Sequence, residues 1–172
     1  KKNDNDFLWN LTGLSFQKIN QIKKSVDCFE NALSLNPKNF SALNNLGLSH
    51  KKLKNYLKAE EYLLKAIELN PKYINAFVNL GNIKNETYYF KEALIYYNKA
   101  LELNKKLPLI HLNISNIYQT TNKIQDAKRH LEEAVSIDKK FTIADQKLTS
   151  LEKYQKENSH LESMLKKLEN LE

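Results

Sequence analysis

The side chains best suited to acid–base or metal chemistry are four histidines and one cysteine. His50, His111, His130 and His160 fall at unrelated points of the chain, so they read as packed or half-exposed rings rather than a ligand set. Cys28 is solitary, which excludes an intramolecular disulfide and a cysteine-rich metal site and fits a reducing compartment. Carboxylates lie close to lysine or arginine, as Asp126 does to Arg129, and such pairs solubilise an outer helical face more often than they catalyse. With no paired nucleophile and base and no glycine-rich phosphate loop, neither an enzyme nor a cofactor or metal is expected. The remaining chemistry is that of asparagine, whose amide both donates and accepts and can hold a peptide main chain. Asn10-Leu-Thr12, Asn85-Glu-Thr87 and Asn113-Ile-Ser115 match the glycosylation sequon, but all three sit in segments that read as helix and are taken as chance matches.

What positions these amides is an internal repeat. Gly13, Gly47 and Gly81 stand 34 residues apart, Ser115 takes the next place, and Pro37 and Pro71 keep the same spacing. With Asp6, Phe40, Ile74, Pro108 and Thr142 as place 1, the units are 6–39, 40–73, 74–107 and 108–141, followed by 142–172 as capping helix and tail. All 172 residues read as one repeat domain. Small residues fill place 8 (the glycine series), place 20 (Ser25, Ala59, Ala93, Ala127) and place 27 (Ala32, Ala66, Ala100, Ala134), where two helices must lie close. Large residues recur at place 4 (Trp9, Leu43, Phe77, His111), place 24 (Phe29, Leu63, Tyr97, Leu131) and place 30 (Leu35, Leu69, Leu103, Ile137), in amphipathic spacing. The pattern predicts two helices per unit, over places 2 to 14 and 17 to 30.

These columns resemble the tetratricopeptide repeat, most closely in Ala42-Leu43-Asn44-Asn45-Leu46-Gly47 and Ala76-Phe77-Val78-Asn79-Leu80-Gly81. The Asn-Leu-Gly form is also similar to the superhelices attached to O-linked sugar transferases. The resemblance implies an all-α, right-handed superhelix (an α-solenoid) of four clear helix-turn-helix repeats plus a degenerate fifth unit or capping helix. It further implies that places 2, 5, 6, 9, 12 and 13 of the first helices line a concave groove. Those places hold Asn10, Asn44, Asn45, Leu48, Lys51, Lys52, Asn75, Asn79, Asn82, Asn113 and Asn116. Asn45, Asn79 and Asn113 form a ladder at place 6, and Lys51 and Lys52, with Lys18 below, form a basic cluster. The family's clamp for chaperone tails needs Lys or Arg at places 2, 5 and 6, and Asn10, Asn44, Val78, Asn75 and Leu109 stand at places 5 and 2 instead. Leu11 and Thr12 depart from the Asn-Leu pair of the next two units.

The resulting expectation is a non-catalytic interaction module, the scaffold or adaptor part of a larger protein, whose partner is a protein or peptide and could be acidic. Two alternatives stand beside it. The net charge of +7 raises RNA binding, although lysine supplies nearly all of it and Arg129 is the only arginine. Self-association through the C-terminal helix is the other, since Leu151, Tyr154, Asn158, Leu161, Leu165 and Leu168 follow a heptad seam. The competing and favoured reading of the tail is a helix pair restarted at a capping box, Ser159 to Glu162. No apolar run reaches the ~20 residues that span a bilayer. The start at Lys1 reads as a fragment of a cytoplasmic protein whose targeting segments could lie outside it.

Overall fold

The computed structural model describes residues 5–169, with side chains up to 153 and at 156–159 and 162. Its helices are α1 (Asp6–Lys18), α2 (Ile22–Leu35), α3 (Phe40–Lys52), α4 (Tyr56–Leu69), α5 (Ile74–Glu86), α6 (Phe90–Leu103), α7 (Pro108–Thr120), α8 (Ile124–Ile137) and α9 (Thr142–Glu169). Second helices occupy places 17 to 30 as expected, and first helices run over places 1 to 13, one residue earlier at both ends. The chain forms two compact units that divide between Lys105 and Lys106. In the first, α1 packs on α2, α3 on α4 and α5 on α6, with α2 against α3, α4 against α5, and α1, α3 and α5 side by side. In the second, α7 packs on α8, and α8 on α9.

The columns explain the packing. Ser25, Ala59, Ala93 and Ala127, and likewise Ala32, Ala66, Ala100 and Ala134, are fully buried, as is each place-24 residue: Phe29, Leu63, Tyr97 and Leu131. Glycine at place 8 is a matter of space. A Cβ on Gly13 would come within 2.5 Å of the Phe29 ring, and one on Gly81 within 2.5 Å of the Tyr97 ring. Against Leu63 the approach at Gly47 relaxes to 2.9 Å. Opposite Leu131 the chain places Ser115, whose hydroxyl donates to the Leu112 carbonyl at 2.7 Å. Place 30 differs from its expected role: Leu35, Leu69 and Leu103 are 39–44% exposed, because the last residue of each second helix meets a neighbour on only one side.

Turn chemistry is equally periodic. Asn36, Asn70 and Asp138 accept from the backbone N–H two residues on, the Asx turn that ends α2, α4 and α8. Within each hairpin a non-glycine residue adopts the left-handed conformation: Asn20, Lys54, Tyr88 and Asn122, at φ between 57° and 64°. The following N–H then reaches back to the first helix, as Tyr89 does to the Lys84 carbonyl at 2.8 Å, which satisfies an orphan helix-end acceptor.

The capping-box reading of the tail is overturned. α9 is one 28-residue helix, and Ser159 does not open a new one; its hydroxyl donates to the Lys156 carbonyl at 2.9 Å. No proline or glycine lies in this stretch to break the helix, so the i→i−4 ladder continues through it. Of the heptad seam, Leu151 is buried and Asn158 is exposed, facing Glu162. The side chains of Tyr154, Leu161, Leu165 and Leu168 lie outside the described residues.

Candidate functional site: the first-helix faces

In the first unit the asparagines at places 5 and 6 join into a relay. The Asn79 amide donates to Asn44 Oδ1 at 2.9 Å, Asn44 donates to Asn45 Oδ1 at 3.2 Å, and Asn45 donates to Asn10 Oδ1 at 3.0 Å. Three helices are thereby tied by side-chain amides. Asn10, Asn44 and Asn45 are 8%, 3% and 7% exposed, so these amides satisfy one another inside the stack. They orient the face more than they form it. Gln17 adds a second tie from α1 to α3, donating to the Asn45 carbonyl at 3.0 Å and the Ser49 hydroxyl at 2.7 Å. Ser49 in turn lies 2.9 Å from the Ser25 hydroxyl.

Open to solvent on the same face is Asn75, with Leu48, Val78, Asn79 and Asn82 half-buried around it. Asn82 Oδ1 accepts from the Tyr97 hydroxyl at 2.8 Å, so this amide also has a fixed orientation.

The basic cluster is divided. Lys51 and Lys54 reach Glu86 at 2.9 and 2.6 Å, and the Tyr56 hydroxyl donates to the same carboxylate at 2.8 Å. Hydrogen bonds from Lys54 and Lys51 hold the Glu86 carboxyl well below its ordinary range, at about 2. Lys51 is therefore paired at its own end of the face. Lys52 only approaches the Gln17 carbonyl, at 3.5 Å, and among the described residues neither it nor Lys18 meets a carboxylate. Between them lies a hollow of about 290 Å³ lined by Leu11, Leu14, Ser15, Gln17, Lys18 and Lys52.

The first helix of the second unit is more apolar. Ile110, Leu112, Ile114 and Ile117 are buried, while Asn113 and Asn116 are half-buried. The Asn116 side-chain oxygen Oδ1 is enclosed without a protein partner.

The histidines behave individually, with one pairing that the repeat frame did not suggest. His50 is buried and stacked on Tyr62 at 5.4 Å, with no protein partner for either ring nitrogen. Burial, aided by Lys58, pushes its pKa down. In the second unit His111 and His130 bring their Nδ1 atoms to 3.1 Å, with Tyr118 tilted against His130 at 5.6 Å. Burial and the neighbouring His111 lower His130 to about 4. Places 4 and 23 carry them; helices that pack antiparallel bring such places together, which spacing along one helix does not reveal. His160 lies outside the described side chains. Cys28 is buried, and burial raises its thiol pKa. Asn10 is also buried, and Thr12 of its sequon donates to the Leu8 carbonyl at 2.8 Å. Among the described residues no three His, Cys, Asp or Glu side chains gather as a metal site would require, and no helix is long and apolar enough to cross a membrane.

Comparison with known proteins places this architecture. Models of the tetratricopeptide repeat match residues 40–73 and, separately, 74–107 and 109–141, and a TPR repeat model matches 13–54. No curated protein matches the chain. Among solved structures, one of MamA is 18% identical with a TM-score of 0.74, covering 81% of each chain. A second MamA structure is 18% identical with a TM-score of 0.76, covering 94% of this chain and 88% of that one. The APC/C hetero-tetramer Cut9–Hcn1 gives 19% identity and a TM-score of 0.77, over 86% of this chain but only 30% of the other. At such identities the likeness speaks for the fold alone. Repeat models covering most of the span from residue 13 to 141, on hairpins whose packing columns follow the 34-residue frame, establish that the chain belongs to the tetratricopeptide-repeat family.

Proposed function

We propose that this chain is a non-catalytic protein-interaction module that holds an extended peptide segment against its first-helix faces, as the scaffold or adaptor part of a larger protein. The observation that carries this reading is the face of α1, α3 and α5. An exposed amide at Asn75 and half-buried aliphatic side chains at Leu48 and Val78 surround amides whose orientation the relay has already fixed. Pre-oriented polar groups lose little freedom on binding, and a mixed amide and aliphatic floor suits a main chain bearing alternate side chains. An acidic segment fits the unpaired end of this face.

Selection from a random dodecapeptide library provides the test. Leu48→Arg or Asn75→Arg is expected to weaken the selected binders at least about tenfold. Leu57→Arg, at an exposed site on the second helix α4, is expected to leave them unchanged. The opposite pattern would move the working surface to the second helices.

RNA binding fits less well. Lys51, Lys54, Lys65, Lys84 and Lys99 each meet a carboxylate within 3 Å, and Arg129 meets Asp126 at 3.2 Å, so these six of the 27 lysines and arginines are engaged by carboxylates rather than open to phosphate. Self-association through α9 is checked by measuring mass in solution with and without residues 156–172.

A further inference from the structure

The column at place 13 changes sign within the first unit: Lys18, Lys52, then Glu86. Glu86 engages Lys51 and Lys54, which closes the α3–α5 end of the face to a second anion. Lys18 and Lys52, at the C-terminal ends of α1 and α3, stand over the hollow of about 290 Å³ with no carboxylate of the described residues against them. Gln17 forms a fixed wall because its amide is committed to α3. One and two helical turns back, Leu14 and Leu11 supply an apolar floor, and Leu11 is 49% exposed among the described residues.

From Leu14 to Lys18 is four residues, about 6 Å along a helix. Alternate side chains of an extended strand project on one side about 6.6–6.8 Å apart. A ligand with a large aliphatic residue and a carboxylate two positions away would therefore seat both at once. We infer that this hollow is a specificity pocket for an extended segment carrying a leucine-like side chain and an Asp or Glu at i±2. The inference rests on the peptide-holding reading above and adds the ligand's chemistry and register. The carboxylate sits between the Lys18 and Lys52 ammonium groups, and the aliphatic group lies on Leu11 and Leu14. Lys52 swings from the Gln17 carbonyl, a 3.5 Å contact, to the incoming anion.

Fluorescence anisotropy on the full chain tests it with labelled dodecapeptides. (Leu-Ser-Glu-Ser)₃ is expected to bind about tenfold more tightly than (Leu-Ser-Gln-Ser)₃ and than (Leu-Glu-Ser-Ser)₃, in which the two groups project to opposite sides. Lys18→Gln with Lys52→Gln removes the preference for Glu, and Lys18→Glu with Lys52→Glu transfers it to (Leu-Ser-Lys-Ser)₃. Both lysines are exposed, so circular dichroism is expected to stay unchanged. Equal binding of the Glu and Gln peptides, or a Glu preference that survives Lys18→Gln/Lys52→Gln, overturns the pocket and leaves the peptide-holding reading standing. Failure of every peptide to bind, while binders selected from the random library respond to Leu48→Arg, overturns the pocket alone. Failure of both sets overturns the two readings together.

Discussion

The two units solve the same packing problem differently. In the first, place 8 is glycine wherever place 24 is Phe29, Leu63 or Tyr97, and the rings of Phe29 and Tyr97 occupy the volume a Cβ would need. In the second, Leu131 leaves room for Ser115, which anchors its hydroxyl to its own helix. The first unit also ties its first helices with amides, whereas α7 buries isoleucine and leucine. Charge divides similarly: residues 1–105 carry 16 Lys against 10 Asp and Glu, net +6, and residues 106–172 carry 11 Lys and Arg against 10, net +1. Gly13 and Gly81 are thus complements to a large ring opposite, and the side-chain amide ties are concentrated in the first unit.

The sharpest way to break this contrast is to exchange the place-8 residues. Gly81→Ser should destabilise the first unit by about 2–3 kcal/mol through overpacking against Tyr97. Ser115→Gly should destabilise the second by only about 1 kcal/mol, the helix-propensity difference plus a lost local hydrogen bond. Adding Tyr97→Leu to Gly81→Ser should recover part of the loss; strict additivity in urea unfolding, followed by hydrogen exchange in each unit, would refute the ring-and-glycine pairing.

Next is the relay. Asn44→Ala strands the Asn79 donor and the Asn45 acceptor and should lower stability by about 1–3 kcal/mol. Trp9, on α1, reports the loss by fluorescence. Asn116→Ala in the second unit removes an oxygen that has no protein partner, and should be close to neutral.

Acid should then separate the units in degree, since burial also holds His50 of the first unit below its ordinary range. His130 has its folded pKa at about 4, below the ordinary 6.5, so the native state favours the neutral ring. Its stabilising contribution is complete above pH 6.5 and lost as pH falls from 6.5 towards 4. Glu86, at about 2 against 4.5, contributes fully above pH 4.5 and loses its contribution only as pH falls towards 2. His130→Phe should therefore flatten the stability of α7 and α8 between pH 7 and 5, measured by hydrogen exchange. An unchanged pH slope would assign the sensitivity elsewhere.

The smallest effect is expected from Glu86→Gln. Its partners are partly exposed, so the loss should be about 0.5–1 kcal/mol after solvent screening. The same change frees Lys51 and Lys54, and acidic peptides should bind about two- to threefold more tightly.

Much of the fold was legible because small and large residues recur in columns that only a helical hairpin can use. Second helices could be bounded to the residue; first helices start one place early, with Asn5 and Asn39 capping α1 and α3 by their side chains and Tyr73 and Leu107 standing at the same place before α5 and α7. The candidate face was legible as a set of places, but not as a set of bonds. Asn45 meets Asn10, Asn79 meets Asn44, Lys52 meets the Gln17 carbonyl, and Lys51 meets Glu86, each across 35 residues. These four links join neighbouring repeats at the period plus one, so a search for partners in one column misses every one of them. The ladder at place 6 is for that reason a rung-to-rung splice at Asn45 and Asn79. The tail misled because a capping-box motif carries no force where the helix on both sides is unbroken.

Four left-handed turn residues recur at matching points of the hairpins, and none is glycine. Tyr88 is the least suited to that conformation, yet its ring is 79% exposed and takes no part in the amide relay of α1, α3 and α5. Rigidity can therefore be tuned at the hairpin tips, by Tyr88→Asn for instance, without touching the amide relay. Turn strain and side-chain pairing between helices are separate features of this chain, open to independent engineering or drift.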